Sequence, residues 1–220
     1  PFALAPLVLS NTPALATQHD LIPAQMPAIY FDNNPDFADF YRGRMAEMHH
    51  FAALIAVSEA TRQEALTLLG YPTEHLHVVP EDAGTQFTPP DAMSLSDMED
   101  LRHRHGLARP YVLYVGGGEP RKNLTGLIRA YGALPQGLRD AHDLVIAGTL
   151  TAQEHADIHR LAQDFPLDLG HIRILGHTPE ADLPGLYGLA ELFVIPSLRE
   201  GFGLPALEAI RCGTLTLGAD

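Results

Sequence analysis

The sequence is poor in cysteine, in long apolar segments and in positive charge. Cys212 is the single cysteine of the 220 residues, so no internal disulfide can form, which fits a reducing compartment. The longest apolar runs, such as 52–57, are far shorter than the roughly 20 residues of a membrane-spanning helix. The apolar segment 1–9 has no basic residue before it and makes a poor signal peptide. These absences predict a cytoplasmic protein, at most peripheral at the inner face of a membrane.

The charge balance restricts the partners that we expect. Lysine and arginine together number 14 against 27 acidic residues, which gives a formal net charge of −13. A chain this acidic repels nucleic acid and anionic lipid on average, so we expect no nucleic-acid partner. A phosphorylated ligand could bind only where the few cations are concentrated, and such a place would be an arginine or lysine beside glycine.

Short apolar runs alternate with helical patterns from Tyr111 onward. This alternation predicts βαβ units and a doubly wound parallel sheet, and the nearly continuous apolar character of the strands predicts that both faces are covered. The capping pair Thr151 and Glu154 predicts the start of one of the helices. The predicted strands are 111–115, 143–147, 172–175, 192–195 and 215–217. The predicted helices are 124–134, one from 151 onward, 182–189 and 204–211.

The first 80 residues have fewer regular signals, and the fold class that we expect is α/β with two Rossmann-type domains, the first of them partial. We predict a partial domain at 1–80, a linker at 81–96 and a second domain at 97–220, with Ser96 and Glu99 capping its first helix. Because the sequence stops just after a strand, we expect material to be missing at both ends. The first domain's predicted strands are 14–17, 54–57 and 76–79, and its helices are 37–51 and 58–69.

The first motif that could carry chemistry is a glycine-rich turn at 116–118, followed by Arg121 and Lys122. Glycines let backbone N–H groups approach a phosphate closely, and we expect a helix to begin at the basic pair and add its N-terminal partial charge. Arg121 can bind phosphate oxygens through two N–H groups, whereas Lys122 supplies a point charge. The alternative is a tight turn with a solvated basic pair.

The second motif is the segment 200–208, in which Glu200 and Glu208 flank a Gly-Phe-Gly-Leu-Pro sequence. It follows the strand 192–195, at the sheet edge where α/β proteins bind ligands. Carboxylates accept hydrogen bonds from sugar hydroxyls. The alternative is that Glu208 interacts with the helix dipole and that Glu200 is an ordinary surface residue.

These segments resemble retaining glycosyltransferases of family 4, which have the GT-B fold. The Glu-x7-Glu arrangement of Glu200 and Glu208 is similar to that family's signature, and 117–123 resembles its diphosphate loop. Segment 55–58 resembles the family's last N-domain strand, and 18–23 resembles its acceptor-side loop. The matches occur in the family's order and cover nearly the whole chain.

The resemblance implies a role for each matching residue. Arg121 and Lys122 would bind the donor diphosphate and stabilise the leaving group, with Gly117 and Gly118 contributing there. Glu200 would bind the transferred sugar, and Glu208 the ribose. His19 would face the sugar from the acceptor side. The remaining donor-binding positions that the resemblance implies are Gly176, His177, Thr178, Gly201, Phe202, Gly203 and Leu204.

The implied activity is a metal-independent hexosyltransferase of polysaccharide biosynthesis that retains the anomeric configuration. Its donor would be a GDP- or UDP-linked sugar, bound as a substrate with no separate cofactor, and its acceptor a saccharide or a lipid-linked saccharide. We expect no metal site, because the histidine pairs lack chelating spacing. Two alternatives stay open: a nucleotide-sugar epimerase on the same fold, and a truncated nucleotide-binding remnant without turnover.

Overall fold

The computed structural model describes residues 13–164 and 168–219, and these fall into two compact units. The first unit extends to Glu81 and also includes Glu200–Phe202. The second contains Asp82–Arg199 and the residues from Gly203 onward. The segment 1–9, which we assessed as a signal peptide, lies outside the described residues.

The first unit contains a three-stranded parallel sheet in the order β1-β2-β3. Leu54 of the middle strand pairs with Ala16 on one side and Leu76 on the other, and it is fully buried. Each predicted strand lies within one residue of the observed one. The elements are β1 (Leu15–Gln18), α1 (Ile22–Gln25), α2 (Pro27–Tyr30), α3 (Pro35–Glu47), β2 (Ala53–Ala56), α4 (Glu59–Glu64) and β3 (Leu76–Val78).

Helix α3 begins two residues earlier than predicted. The Asn34 side chain accepts the backbone N–H of Phe37 at 3.2 Å, and Pro35 occupies the first helical position, where its missing N–H costs nothing. The helix ends at Glu47 and is followed by a 3₁₀ turn at Met48–His50, so the predicted span 37–51 was too long at its end.

The predicted helix 58–69 is divided in two. Ser58 caps α4 reciprocally with Thr61: each side chain accepts the backbone N–H of the other residue, at 3.1 and 3.0 Å. The α-helix then widens into a π-helical turn at Ala65–Leu69, which ends at Gly70 in the left-handed conformation. Periodicity alone does not distinguish one helical form from the other.

The second unit contains a five-stranded sheet in the order β6-β5-β4-β7-β8, and all its strand pairs are parallel. Two of its strands differ by one residue from the prediction, and the other three agree. The elements are α5 (Leu95–His105), β4 (Tyr111–Val115), α6 (Leu124–Gly132), α7 (Gln136–Ala141), β5 (Asp143–Ala147), α8 (Ala152–Asp164), β6 (Ile172–Gly176), α9 (Leu183–Gly188), β7 (Leu192–Ile195), α10 (Leu204–Arg211) and β8 (Thr216–Gly218).

Both faces of this sheet are covered. Every residue of β5 is buried. Leu144 and Ile146 belong to one apolar cluster, which includes residues of α6 and α8. Val145 and Ala147 belong to another, which includes residues of α5, α9 and α10. Successive strand residues point to opposite faces, so this division confirms the doubly wound α/β fold.

The strand order reverses between β4 and β7. From β4 the chain moves outward through β5 and β6, and it then returns to the other side of β4 to form β7 and β8. In open α/β sheets, ligands bind beyond the carboxyl ends of the strands at such a reversal. The loops that follow β4 and β7 begin at Gly116 and Pro196, and they therefore lie where a ligand is expected.

Two expectations about 81–96 differ from the structure. Ala83 and Phe87, which the sequence analysis placed in a linker, are buried in the core of the second unit. Ser94, and not Ser96, caps α5 by accepting the backbone N–H of Asp97 at 3.1 Å. Both serines have an acidic residue three positions later, so the local pattern could not separate them.

Candidate functional site

The glycine turn after β4 is held tightly against the end of β5. The Gly116 N–H donates to the Ala147 carbonyl at 3.0 Å, and the Tyr114 hydroxyl donates to the Gly117 carbonyl at 2.5 Å. A Cβ at Gly148 would lie 1.9 Å from the Gly116 carbonyl oxygen. Only glycine at 148 allows the two loops to approach this closely.

The basic pair lies in a 3₁₀ turn at Pro120–Lys122, before the helix. We had expected the helix to begin at the pair; instead Asn123 adopts the left-handed conformation, with φ 53°, and α6 begins at Leu124. The reason is Pro120, which starts a separate short turn. The Arg121 guanidinium is oriented by Glu119, whose carboxylate lies 3.1 Å from Nε.

Hydrogen bonds join this turn to the loop after β7. The Leu198 N–H donates to the Arg121 carbonyl at 2.8 Å, and the Asn123 side-chain amide donates to the Pro196 carbonyl at 3.1 Å. The segment with Arg121 and Lys122 is therefore fixed at the reversal of strand order. Sequence reasoning missed this role of Asn123, although the residue stood inside the quoted motif.

Glu208 lies on α10, in the second turn of the helix. The helix starts after Gly203, which is left-handed with φ 88°, and has Pro205 in its first turn. The Glu208 Oε2 atom accepts a hydrogen bond from the Tyr187 hydroxyl at 2.7 Å. Partial burial raises the pKa of Glu208 above its ordinary value, a shift that the Tyr187 hydrogen bond opposes and the charge of Glu180 adds to. Nothing in the local sequence connected Tyr187 with Glu208.

Glu200–Phe202 belong to the first unit, whereas Glu208 belongs to the second. In the first unit the Ser58 hydroxyl donates to the Gly201 carbonyl at 2.6 Å. A Cβ at Gly201 would lie 2.0 Å from the His19 carbonyl oxygen, so the backbones of these two segments are in close contact. The His19 ring lies 3.1 Å from the Glu81 carboxylate, through Nδ1. The first unit thus brings together His19 and Gly201, two predicted site residues.

The predicted donor-binding positions Gly176, His177 and Thr178 lie at the carboxyl end of β6. Gly176 is left-handed, with φ 70°, and pairs with Gly148 in an isolated bridge. The Thr178 hydroxyl donates to the Gly176 carbonyl at 3.3 Å, and His177 is exposed. The loops after β4, β5 and β6 therefore share one edge of the sheet.

The described residues contain neither a metal-binding cluster nor a membrane-spanning helix. Across 13–164 and 168–219, no group of three or more His, Cys, Asp or Glu side chains is arranged to hold a metal ion. The His105 ring nitrogen Nε2 lies 2.8 Å from Asp182 Oδ2. In the same part of the chain, no helix is long and apolar enough to cross a membrane.

The curated relatives of the chain include mannosyltransferases. The chain is 35% identical over 202 residues to the serotype-specific mannosyltransferase WbdA of Escherichia coli. The matched region covers 92% of the chain but 24% of WbdA. It is 36% identical over 161 residues to the O-antigen chain mannosyltransferase B of Escherichia coli, covering 73% of the chain and 41% of that protein. The chain thus spans less than half the length of either relative.

Several solved structures have a fold similar to that of this chain. The chain matches Anabaena HepE in complex with UDP-glucose with a TM-score of 0.74 at 20% identity, covering 94% of the chain and 53% of HepE. It matches WaaG, a glycosyltransferase involved in lipopolysaccharide biosynthesis, with a TM-score of 0.73 at 19% identity, covering 93% of the chain and 55% of WaaG. These likenesses support the GT-B fold expected from the sequence.

A family model decides the assignment. The model described as glycosyl transferases group 1 matches residues 97–220, which is more than half of the chain. The matched range contains the glycine turn, the basic pair and both glutamates of the second motif. The chain therefore belongs to the glycosyl transferases group 1 family.

Proposed function

We propose that the protein containing this chain transfers a hexose from a nucleoside-diphosphate sugar to a growing polysaccharide, with retention of the anomeric configuration. The observation that carries the proposal is the joining of the Arg121–Lys122 turn to the loop after β7, at the reversal of strand order. Mannose is the sugar that we favour, since the two relatives described above are mannosyltransferases.

The donor diphosphate would bind between the glycine turn and the basic pair. Arg121 and Lys122 supply positive charge in a chain with a net charge of −13, and a phosphate group needs such local concentration. As the sugar leaves, negative charge develops on the diphosphate, and cations already in place stabilise it. Glu208 would accept hydrogen bonds from the ribose hydroxyls.

In the reaction, the bond between the anomeric carbon and the phosphate oxygen breaks. A bond from the acceptor hydroxyl oxygen forms on the same face of the sugar, and the hydroxyl proton passes to the departing phosphate. Glu200 would hold hydroxyls of the transferred sugar, and His19 would face that sugar. Because Arg121 and Lys122 provide the positive charge, we expect transfer to survive EDTA.

The acceptor in this proposal is a saccharide chain, either free or linked to a lipid carrier. The name of one relative specifies an O-antigen chain, which is such a polymer. A lipid-linked acceptor would place the enzyme at a membrane surface. The relatives named above are transferases, which favours transfer over epimerisation.

The experiment uses the complete protein with a GDP-mannose donor, a UDP-glucose donor and a mannose oligosaccharide acceptor. We expect acceptor elongation from one donor and an α- or β-linkage that matches the donor's anomeric configuration. An inverted linkage would contradict the proposal, as would conversion of the donor sugar to an epimer without an acceptor. If the protein binds nucleotide but elongates no acceptor with any donor tried, the result would favour the alternative of a truncated nucleotide-binding remnant without turnover.

A further inference from the structure

Tyr187 is in direct contact with Glu208, although the sequence motifs did not include it. Its hydroxyl donates to Glu208 Oε2 at 2.7 Å, and its side chain is completely buried. A phenol hydroxyl bound to one carboxylate oxygen restricts rotation of the carboxylate, because rotation would break the bond. The direction of the other oxygen, Oε1, is then fixed as well.

The tyrosine ring is itself immobilised by its neighbours. It packs edge-on against Phe87 and Phe193, with ring centroids 5.9 and 5.3 Å away. Its backbone carbonyl accepts the Thr214 hydroxyl at 2.6 Å, and the preceding carbonyl, of Leu186, accepts the Tyr111 hydroxyl at 2.7 Å. A donor fixed on both the ring and the backbone is preorganised and loses little freedom when a ligand binds.

We infer that Tyr187 is a positioning residue, which orients the Glu208 carboxylate toward the ribose of the donor nucleotide. The inference rests on the proposed function, because it assumes that Glu208 binds the ribose. Tyr187 acts only through Glu208: it is buried on α9 and touches the carboxylate on α10.

The charge state of Glu208 gives this role a measurable signature. The groups that act on the carboxylate are Tyr187, Glu180 and Cys212. Burial raises the pKa of Glu208, Glu180 raises it further, and the Tyr187 hydrogen bond lowers it. The thiol of Cys212 stays neutral, because burial and the Glu208 charge raise its pKa to about 11. Loss of the Tyr187 hydroxyl should therefore make Glu208 accept a proton at a higher pH.

The test compares Tyr187→Phe with Tyr131→Phe in the complete protein. Both changes remove the hydroxyl of a buried tyrosine that donates a 2.7 Å hydrogen bond, but only the first removes a bond to Glu208. The Tyr131 hydroxyl, on α6, donates to the His142 carbonyl instead. Calorimetric affinity for GDP and UDP is measured as a function of pH, with thermal unfolding followed beside it. We expect Tyr187→Phe to weaken binding about tenfold, the size of one hydrogen bond, and to move the acid loss of affinity to higher pH.

Tyr131→Phe should change the stability but neither the affinity nor the pH profile. If the two variants bind alike, Tyr187 is a structural residue and the inference is wrong. A Tyr187→Phe change made in a Glu208→Gln background should have no further effect on affinity, because the bond's partner is already altered. If Glu208→Gln alone leaves nucleotide affinity intact, the assigned role of Glu208 in the proposed function fails instead.

Discussion

The backbone N–H of Leu198 donates to the carbonyl oxygen of Arg121 at 2.8 Å. This bond joins the loop after β4 to the loop after β7, the two strands between which the strand order reverses. The Asn123 side chain strengthens the connection through the Pro196 carbonyl. The basic turn therefore depends for its position on a segment far away in the sequence.

Asn123 should be needed for diphosphate binding although we assign it no contact with the donor. Asn123→Ala removes the bond to Pro196. It also places alanine, which disfavours the left-handed conformation, at a position where φ is 53°. Asn123→Gly removes the bond but accepts the conformation. We expect affinity for a nucleoside diphosphate to fall in the order wild type, Gly, Ala, with a loss of about 1 kcal/mol for the hydrogen bond. Calorimetry on the complete protein measures this, and an alanine variant that binds like the wild type would contradict it.

Arg121→Ala should weaken diphosphate binding much more than nucleoside binding. In the proposed site, the bond that it loses is charge-assisted and goes to phosphate, and such bonds contribute roughly 1.5–3 kcal/mol. The matched control is Arg129→Ala, which removes an exposed arginine from the helix that follows the turn. The measurement compares affinities for GDP and guanosine, and for UDP and uridine. Equal losses for diphosphate and nucleoside would argue against the assignment of the turn.

The sheet of the second unit could be predicted because its strands are buried on both faces. The apolar runs 111–115, 143–147 and 192–195 are each bounded by turn residues, and the structure has these three strands at the same positions. The capping box of Thr151 and Glu154 is also confirmed, with reciprocal bonds of 2.7 and 3.2 Å. In these places the local pattern and the tertiary environment favour the same structure.

The remaining features depend on contacts that are distant in sequence. Ser94 and Ser96 have equivalent local patterns, and local spacing did not separate them. The left-handed Asn123 and the Tyr187–Glu208 bond each need a partner from another element. The roles given to the predicted site residues stay predictions, because no ligand contact tests them.

Gly148→Ala should destabilise the second unit. The added methyl group would meet the Gly116 carbonyl at 1.9 Å, and backbone on both sides has little room to move. We expect a loss of about 1–3 kcal/mol in the free energy of unfolding, together with weaker diphosphate binding through the displaced turn. The control is Gly137→Ala, in helix α7, where an added Cβ meets nothing within 4 Å. That change should be neutral or stabilise the protein by up to about 1 kcal/mol. Thermal unfolding separates the two, and equal midpoints would show that the turn adapts.

The two glutamates of the Glu-x7-Glu motif should separate functionally. Glu208 lies on α10, and we place the ribose at its carboxylate; Glu200 lies on the preceding loop, and we place the transferred sugar there. Glutamine is a nearly isosteric probe that removes the charge in each case. Glu208→Gln should weaken binding of the nucleotide whether or not its sugar is attached. Glu200→Gln should leave nucleoside-diphosphate affinity nearly intact and lower kcat, because hydrogen bonds that strengthen only in the transition state affect turnover rather than binding.

The measurement pairs calorimetric affinity for the nucleoside diphosphate with kcat for the sugar nucleotide, both on the complete protein. The pH dependence adds a second criterion for Glu208. Because burial raises its pKa, the carboxylate takes up a proton, and nucleotide affinity falls, at a higher pH than for an ordinary glutamate. Glu208→Gln should remove that acid loss, whereas Glu200→Gln should retain it. If Glu200→Gln instead loses nucleotide affinity as severely as Glu208→Gln and keeps kcat, the sugar lies elsewhere. If neither change affects binding or turnover, the motif is a structural loop and the transferase proposal loses its main chemical support.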